Sequence, residues 1–361
     1  MSNWQQSGLC LCRNDDMAGA GLCLRSENRQ WGSVVGHNRA VASDIEFPIL
    51  DICHQALKRR LKGRRAQVLI LHDGSGTRDV NRAETCSKEV WTQAVEVCSL
   101  DRIGHVDVLL ALAMGFDRVL LQHMSAPDTA AIQAQEVELA RAMGGKGRLD
   151  LYSSARQLCD NLAAIPKTAG RWRTQSPAVV ASRRGTARAC AAVLLSDKHD
   201  PVALPSDAPY GTVQLDASAC SMCQSCVWLC PTDALSVGDR KSELLFVESH
   251  CIQCGMCRSI CPEDALRLEP RLVQSPSVDA RKSLHQAAPV YCRSCGKTFT
   301  VSPVMDRLLT RFLGGEDVSP AKNARQKNKQ CSTCRVREAQ GDRNRRMTKA
   351  GLMHSEPKRG R

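Results

Sequence analysis

Apolar and polar positions alternate in blocks along this chain, and the blocks change character twice. Residues 1–45 show no sustained periodicity and carry Gly, Ser and Asn, so a poorly ordered segment is expected there. Ile49, Ile52, Cys53, Ala56 and Leu57 then fall at helical spacing, ahead of a basic run from Lys58 to Arg65. Val68–Leu71 is a short apolar run ending at the turn sequence HDGSG, which predicts a buried strand. A helix is expected over about 82–92, then a strand over 94–97 ending at Cys98. Val106, Leu109, Leu110 and Ala113 form one helical stripe between Gly104 and Gly115, and Gly115 suits the position just past a helix end. A strand over 117–122, an alanine-rich helix over 127–143 opened by Pro127, a strand over 149–152 and a helix over 155–164 complete the series. Strands alternating with helices at this spacing predict an α/β domain, residues 46–175, built on a small parallel sheet.

Beyond it the pattern loosens. Residues 176–209 hold one more helix, about 186–195, and a linker rich in Pro and Ser. Residues 210–272 are dense in cysteine, 289–338 form a last module, and 339–361 are a basic tail. Apolar runs do not reach membrane length: the best, Val106–Leu121, is broken by Gly115, Asp117 and Arg118. No secretory leader is evident, and a reducing cytoplasm suits a chain with many free thiols.

The chemistry sits in two near-identical runs. CSMCQSCVWLCP places Cys220, Cys223, Cys226 and Cys230 before Pro231; CIQCGMCRSICP places Cys251, Cys254, Cys257 and Cys261 before Pro262. Each reads C-x2-C-x2-C-x3-C-P, the spacing that ligates a [4Fe–4S] cluster. Short gaps let three thiolates of one loop cap three irons, and the fourth follows one helical turn later. Asp233-Ala234-Leu235 recurs as Asp264-Ala265-Leu266, so the whole loop–helix–strand unit repeats at an offset of about 31 residues. A disulfide framework or a zinc site has no use for this pattern. Met222, Val227, Trp228, Leu229, Ile252, Met256 and Ile260 interleave the ligands and are expected to exclude water from them.

The segment of about 211–271 resembles the bacterial two-cluster ferredoxins. The resemblance implies two clusters, with the fourth cysteine of each run serving the other cluster. Cys220, Cys223, Cys226 and Cys261 would hold one, and Cys251, Cys254, Cys257 and Cys230 the second. Further on, Cys292-x-x-Cys295 and Cys331-x-x-Cys334 each present two thiolates, and together they make a four-cysteine structural zinc site of zinc-ribbon type. A rubredoxin-like iron or metal-free dithiols stay open on the spacing alone. The fold class is therefore α/β: a small parallel-sheet domain, a two-cluster ferredoxin domain of α+β type and a four-cysteine C-terminal module.

The segment VEVCSLDRIGHVDVLLALAMGFDRVLLQ resembles the delta-type iron–sulfur subunits of methyl-viologen-reducing hydrogenases and the related domain of larger ferredoxin-like proteins, some associated with formate dehydrogenases. The pair Cys295-Gly-Lys297 and Cys334-Arg335 resembles the C-terminal part of those larger proteins. In them a Cys-x-Gly follows the strand, where Cys98-Ser99-Leu100 stands here, so the α/β domain reads as a docking or scaffolding unit without an evident cofactor. The resemblance implies a redox partner protein of formate dehydrogenase or hydrogenase type.

Other candidates are weighed against plainer roles. His72, Cys98 and His123 stand at three strand ends, where open parallel sheets bind ligands, but such residues serve as ordinary turn and core residues too. The HDGSGT turn lacks the full grammar of a phosphate loop. Cys10, Cys12 and Cys23 offer too few ligands for a cluster of their own and read as free thiols. The net charge of +13 is local: residues 322–361 hold thirteen Lys or Arg against three acids. That tail reads first as a solvated extension, then as a contact for an acidic protein, and last for nucleic acid.

An electron-transfer protein or subunit is the leading expectation, more an electron-transfer component than a catalyst on its own. A flavin- or nucleotide-binding oxidoreductase subunit is the alternative, although the residues give flavin little support. A redox-sensing nucleic-acid-binding protein is the second alternative.

Overall fold

The computed structural model describes residues 4–8, 49–86, 89–168, 177, 182–195, 201–238, 242–304 and 330–353. The chain divides into two compact units, the first centred on residues 1–212 and the second on 213–361, with short exchanges around 252–254 and 269–278.

In the first unit the elements are β1 Trp4–Gly8, α1 Leu50–Lys62, β2 Gln67–His72, α2 Thr77–Ala83, β3 Trp91–Glu96, α3 His105–Ala113, β4 Arg118–Gln122, α4 Pro127–Ala140, β5 Leu149–Tyr152, α5 Ala155–Ala163, α6 Arg183–Leu194 and β6 Val202–Ala203. The sheet is wholly parallel, in the order β1-β3-β2-β4-β5. Within β2 to β5 the chain steps outward from β2 to β3 and returns past β2 to β4. The switch point of this doubly wound arrangement therefore lies at the carboxyl ends of β2 and β4.

Strand periodicity explains the layers. Leu69, Leu71, Val95, Val119, Leu121 and Leu149 face one side and pack with α1, α3, α4 and α6. Val68, Ile70, Ala94, Leu120 and Tyr152 face the other and pack with Val80 and Ala83 of α2 and Leu158 and Leu162 of α5. Both faces are covered, so the strands are near-continuously apolar, as parallel sheets demand. Helix α3 is buried on every side. Gly115 follows its end at φ +118°, where a side chain would be strained, and its carbonyl accepts 2.7 and 3.2 Å bonds from the buried guanidinium of Arg60. That guanidinium also pairs with Asp117, tying α1 to the start of β4. The basic run is thus helical as far as Lys62 and partly internal.

Two expectations are corrected here. The helix expected over 82–92 stops at Ala83, runs on as one tight turn to Cys86, and Trp91 already opens a strand. Val90 and Thr92 are buried, and packing of β-branched and aromatic residues against the sheet prevails over a helical pattern. A reducing cytoplasm predicts free thiols outside the cysteine runs, yet Cys86 and Cys159 are joined in a disulfide. The expectation for residues 1–45 falls outside the described residues except for β1. Helix α6 and the segment around Tyr210 pack into the first unit: Tyr210 is buried and accepts or donates a 2.8 Å bond at His105 Nε2.

In the second unit the elements are α7 Ser225–Trp228, β8 Leu235–Val237, β9 Glu243–Phe246, α8 Met256–Ser259, β11 Lys282–Gln286, β12 Pro289–Tyr291, β13 Thr298–Val301 and α9 Ser332–Met353; β7 Gly211–Leu215 and β10 Leu266–Leu272 run across the division of the chain. Strands β11, β9 and β8 form an antiparallel sheet, and β12 and β13 a hairpin. A small core gathers Val213, Met222, Leu235, Leu244, Phe246, Leu266 and Val301 with the buried cysteines Cys251 and Cys257. The amphipathic pattern of Val304–Leu313 predicts a helix, which beyond Val304 lies outside the described residues, as do Cys10, Cys12 and Cys23. Residues 339–353 of the expected tail continue α9. No described helix is long and apolar enough to cross a membrane.

Candidate metal centres

The two cysteine runs fold alike. After the first cysteine of each loop the backbone twists twice into the left-handed region, at Met222 (φ 56°) and Gln224 (φ 66°) in the first run and at Gln253 (φ 56°) and Gly255 (φ 79°) in the second. After each proline a further left-handed residue follows, Asp233 (φ 52°) and Asp264 (φ 46°). Such conformations cost ordinary residues of order 1–3 kcal/mol each and persist where the surroundings over-determine them. Alternation of right- and left-handed residues turns successive N–H groups inward, making a concavity suited to an anion. The amide of Met222 donates to Cys220 Sγ at 3.4 Å, and that of Ala265 to Cys261 Sγ at 3.4 Å. Asp216 opens the first loop: its carboxylate accepts from Ser218 and Ala219, and those bonds hold it below the usual carboxylate range.

A cavity in the second unit is lined by Cys220, Cys223 and Cys226 of the first run and by Cys261, the last cysteine of the second. Met222, Leu215, Val237, Leu244 and Leu266 give it apolar walls. Burial pushes the Cys226 thiol up to about 12, and the neighbouring Cys223, Cys257, Cys220 and Cys261 add to the effect. Cys223 goes the other way: burial opposes ionisation, but bonds from the side chain and backbone of Ser225 and from Ser221 outweigh it. A thiol such as Cys226, held neutral by burial among neighbouring thiols, is relieved by a cation among them, so the residues fit an iron–sulfur group. In the second run Cys251 and Cys257 are buried and Cys254 is exposed. Of the interleaved apolar residues, Met222 is buried as expected, whereas Trp228, Leu229, Met256 and Ile260 face solvent. They do not shield the ligands, because α7 and α8 are single turns that face the core with Cys226 and Val227 in the first and Cys257 in the second.

The sulfurs of Cys292, Cys295, Cys331 and Cys334 lie within 4.8 Å of one another, the one such group of candidate metal ligands among the described residues. Cys295 and Cys331 are 3.8 Å apart, too far for a disulfide and close to the ~3.8 Å edge of a tetrahedron with Zn–S bonds of about 2.3 Å. Gly296 at φ +72° lets the first turn close, its amide donating to the Cys292 carbonyl at 2.8 Å. The amide of Cys331 donates to Cys292 Sγ at 3.3 Å and draws that thiol down to about 6. Hydrogen bonding to Cys331 and Cys295 pushes Cys334 up to about 12. This set can hold a metal ion.

The strand-end candidates His72, Cys98 and His123 form no group of metal ligands among the described residues. His72 is buried, with Nδ1 2.9 Å from the Asp73 carbonyl, while Cys98 and His123 are exposed. At the switch point the HDGSGT loop is filled from within. Gln122 Oε1 accepts from the Asp73 amide at 2.9 Å, its Nε2 donates to Ser75 Oγ at 2.8 Å, and a Cβ on Gly76 would collide with this side chain. Glu96 accepts from Thr77 beside the same loop, adding a carboxylate where a phosphate would need none.

Residues 212–262 match the family model of the 4Fe-4S dicluster domain. The chain therefore carries an iron–sulfur domain of ferredoxin type, a class whose chemistry is electron transfer. The match covers a small part of the chain, and no curated protein matches it.

Proposed function

We propose that this chain is an electron-transfer protein or subunit that relays single electrons through two [4Fe–4S] clusters to or from a partner redox enzyme. Cys220, Cys223, Cys226 and Cys261 hold one cluster; Cys251, Cys254, Cys257 and Cys230 hold the other. The observation that carries the reading is the cavity into which three cysteines of the first run and the last of the second converge. The repeated left-handed turns of the second run support an equivalent second loop. When bound, the clusters supply one-electron redox chemistry; the chain contributes thiolate ligands, inward N–H groups and apolar walls. Cys292, Cys295, Cys331 and Cys334 hold a structural zinc ion. The assignment to a cytoplasmic setting rests on the suitability of a reducing compartment for clusters and thiols, and that to a partner of formate dehydrogenase or hydrogenase type on the sequence resemblance.

Anaerobic purification followed by metal, sulfide and flavin analysis tests this. About eight irons, one zinc and no flavin are expected, with interacting signals in the reduced EPR spectrum. Cys261→Ala should remove the cluster of the first run while the second remains. Four irons or fewer in the reconstituted wild type would refute the two-cluster reading. Loss of the second run's signals on Cys261→Ala, with the first's retained, would refute the crossed ligation.

A further inference from the structure

We propose that α7 and α8 present an apolar docking face for a redox partner whose own contact face has an apolar centre ringed by lysine and arginine. This rests on the electron-transfer reading above. Trp228 is 83% exposed, Met256 44%, and Leu229 and Ile260 each 41%. These four large apolar side chains come from two short cysteine runs: α7, which ends at Trp228, and α8, which begins at Met256, are in contact, and Leu229 and Ile260 directly follow the two helices. Leu229 and Ile260 occupy equivalent positions, each directly before the fourth cysteine of its run. Trp228 sits between Cys226 and Cys230, and Met256 directly before Cys257. Large apolar side chains exposed on neighbouring elements mark interaction sites, and tryptophan is among the side chains enriched in residues that dominate such contacts.

The charge around the face narrows the occupant. Asp233 and Asp264 are exposed, and each left-handed turn sets its aspartate beside the fourth cysteine, their amides donating to the carbonyls of Cys230 and Cys261 at 3.5 and 3.4 Å. Over both runs and their following turns the acids are Asp233, Glu263 and Asp264, and the one base is Arg258. A second copy of this face would set acid against acid, and a phosphate backbone or anionic membrane would be repelled. A basic-rimmed protein is attracted, and its apolar centre would be seated within two residues of ligands from both runs.

The test uses ferric cytochrome c, a small haem protein with lysines around its exposed haem edge, titrated into the oxidised full-length protein by calorimetry at low ionic strength. Binding that weakens with added salt is expected, with Trp228→Ser and Ile260→Ser each weakening it about tenfold or more. Asp233→Asn with Asp264→Asn should flatten the salt dependence. Iron and sulfide content and reduction by photoexcited deazaflavin, a small molecule that needs no docking face, run alongside. Protein without reducible clusters would overturn the electron-transfer reading, whereas intact clusters with cytochrome c binding absent, or unchanged in Trp228→Ser, would overturn the docking face. Trp228-dependent dimerisation in sedimentation would overturn it as well, in favour of a second copy.

Discussion

Breaking the Cys86–Cys159 bond perturbs one place in the first unit and has a calculable effect. The bond joins residues 73 apart in sequence, linking the end of α2's short extension to α5. In the chain-entropy relation a loop of that length stabilises the fold by about 4 kcal/mol. Cys86 is exposed and Cys159 half-buried, so Cys86→Ser with Cys159→Ser opens no core cavity to add to this. Guanidinium unfolding of the first unit, followed by far-ultraviolet circular dichroism, should then shift its midpoint down by about 1 M, taking a slope of roughly 4 kcal/mol/M. Reduction of the wild type should give the same shift.

Linkage makes a second number available. Whatever the bond adds to the fold, the fold adds to the bond, so the folded pair should be harder to reduce than the same pair in unfolded chain. At 30 mV per 1.4 kcal/mol, 4 kcal/mol lowers the reduction potential by about 90 mV. Thiol trapping in glutathione buffers, with and without denaturant, measures it. A midpoint shift below about 0.3 M together with equal folded and unfolded potentials would refute the argument. The folded potential also bears on the compartment: only a pair well below about −250 mV stays oxidised against a cytoplasmic glutathione pool.

Gln224→Gly should stabilise the first cysteine loop by about 1 kcal/mol, because Gln224 sits at φ 66° where the second loop has glycine; cluster retention under denaturant would report it. Removing one partner of the buried Arg60–Asp117 pair, as in Asp117→Asn, should cost about 3–5 kcal/mol in unfolding experiments, since it strands a buried guanidinium. Zinc binding to the metal-free C-terminal module at pH 7 should release fewer than four protons, because Cys292 with a pKa of about 6 is already thiolate; calorimetry in buffers of different ionisation enthalpy counts them. The sign is fixed by a folded pKa below the unfolded 9.0: what Cys292 contributes is present above 9.0 and is lost as pH falls through about 6.

What could be read in the sequence depended on how local its cause is. The β2 to β5 series was legible because strand–helix alternation is a short-range pattern, and the four C-terminal cysteines because each CxxC turn is self-contained. The iron–sulfur domain was legible for the same reason, because the spacing of its two cysteine runs is local. The early end of α2 was not legible, since Val90 and Thr92 answer to a sheet assembled from distant strands. The Cys86–Cys159 bond had no signal at all: its halves are 73 residues apart and share no motif. The side on which Trp228 falls was misread because apolar residues beside ligands look alike in sequence whether they line a cavity or face water.

That misreading bears on how a cluster loop is built. A single turn of helix has one inward side, taken by Cys226 and Val227 in α7 and by Cys257 in α8. The large apolar residues at the ends of these turns, Trp228 and Met256, then face outward. The left-handed residues before each turn fix this division, because they set the direction in which the helix leaves the loop. Substituting Gly255 at φ 79° by Ala strains that exit, at about 1 kcal/mol. It should loosen both the ligand geometry of Cys257 and the presentation of Met256 and Ile260. A variant that lost cluster stability but kept full cytochrome c affinity would show that the two are set separately, and would break the link between ligation and surface that the repeated turns imply.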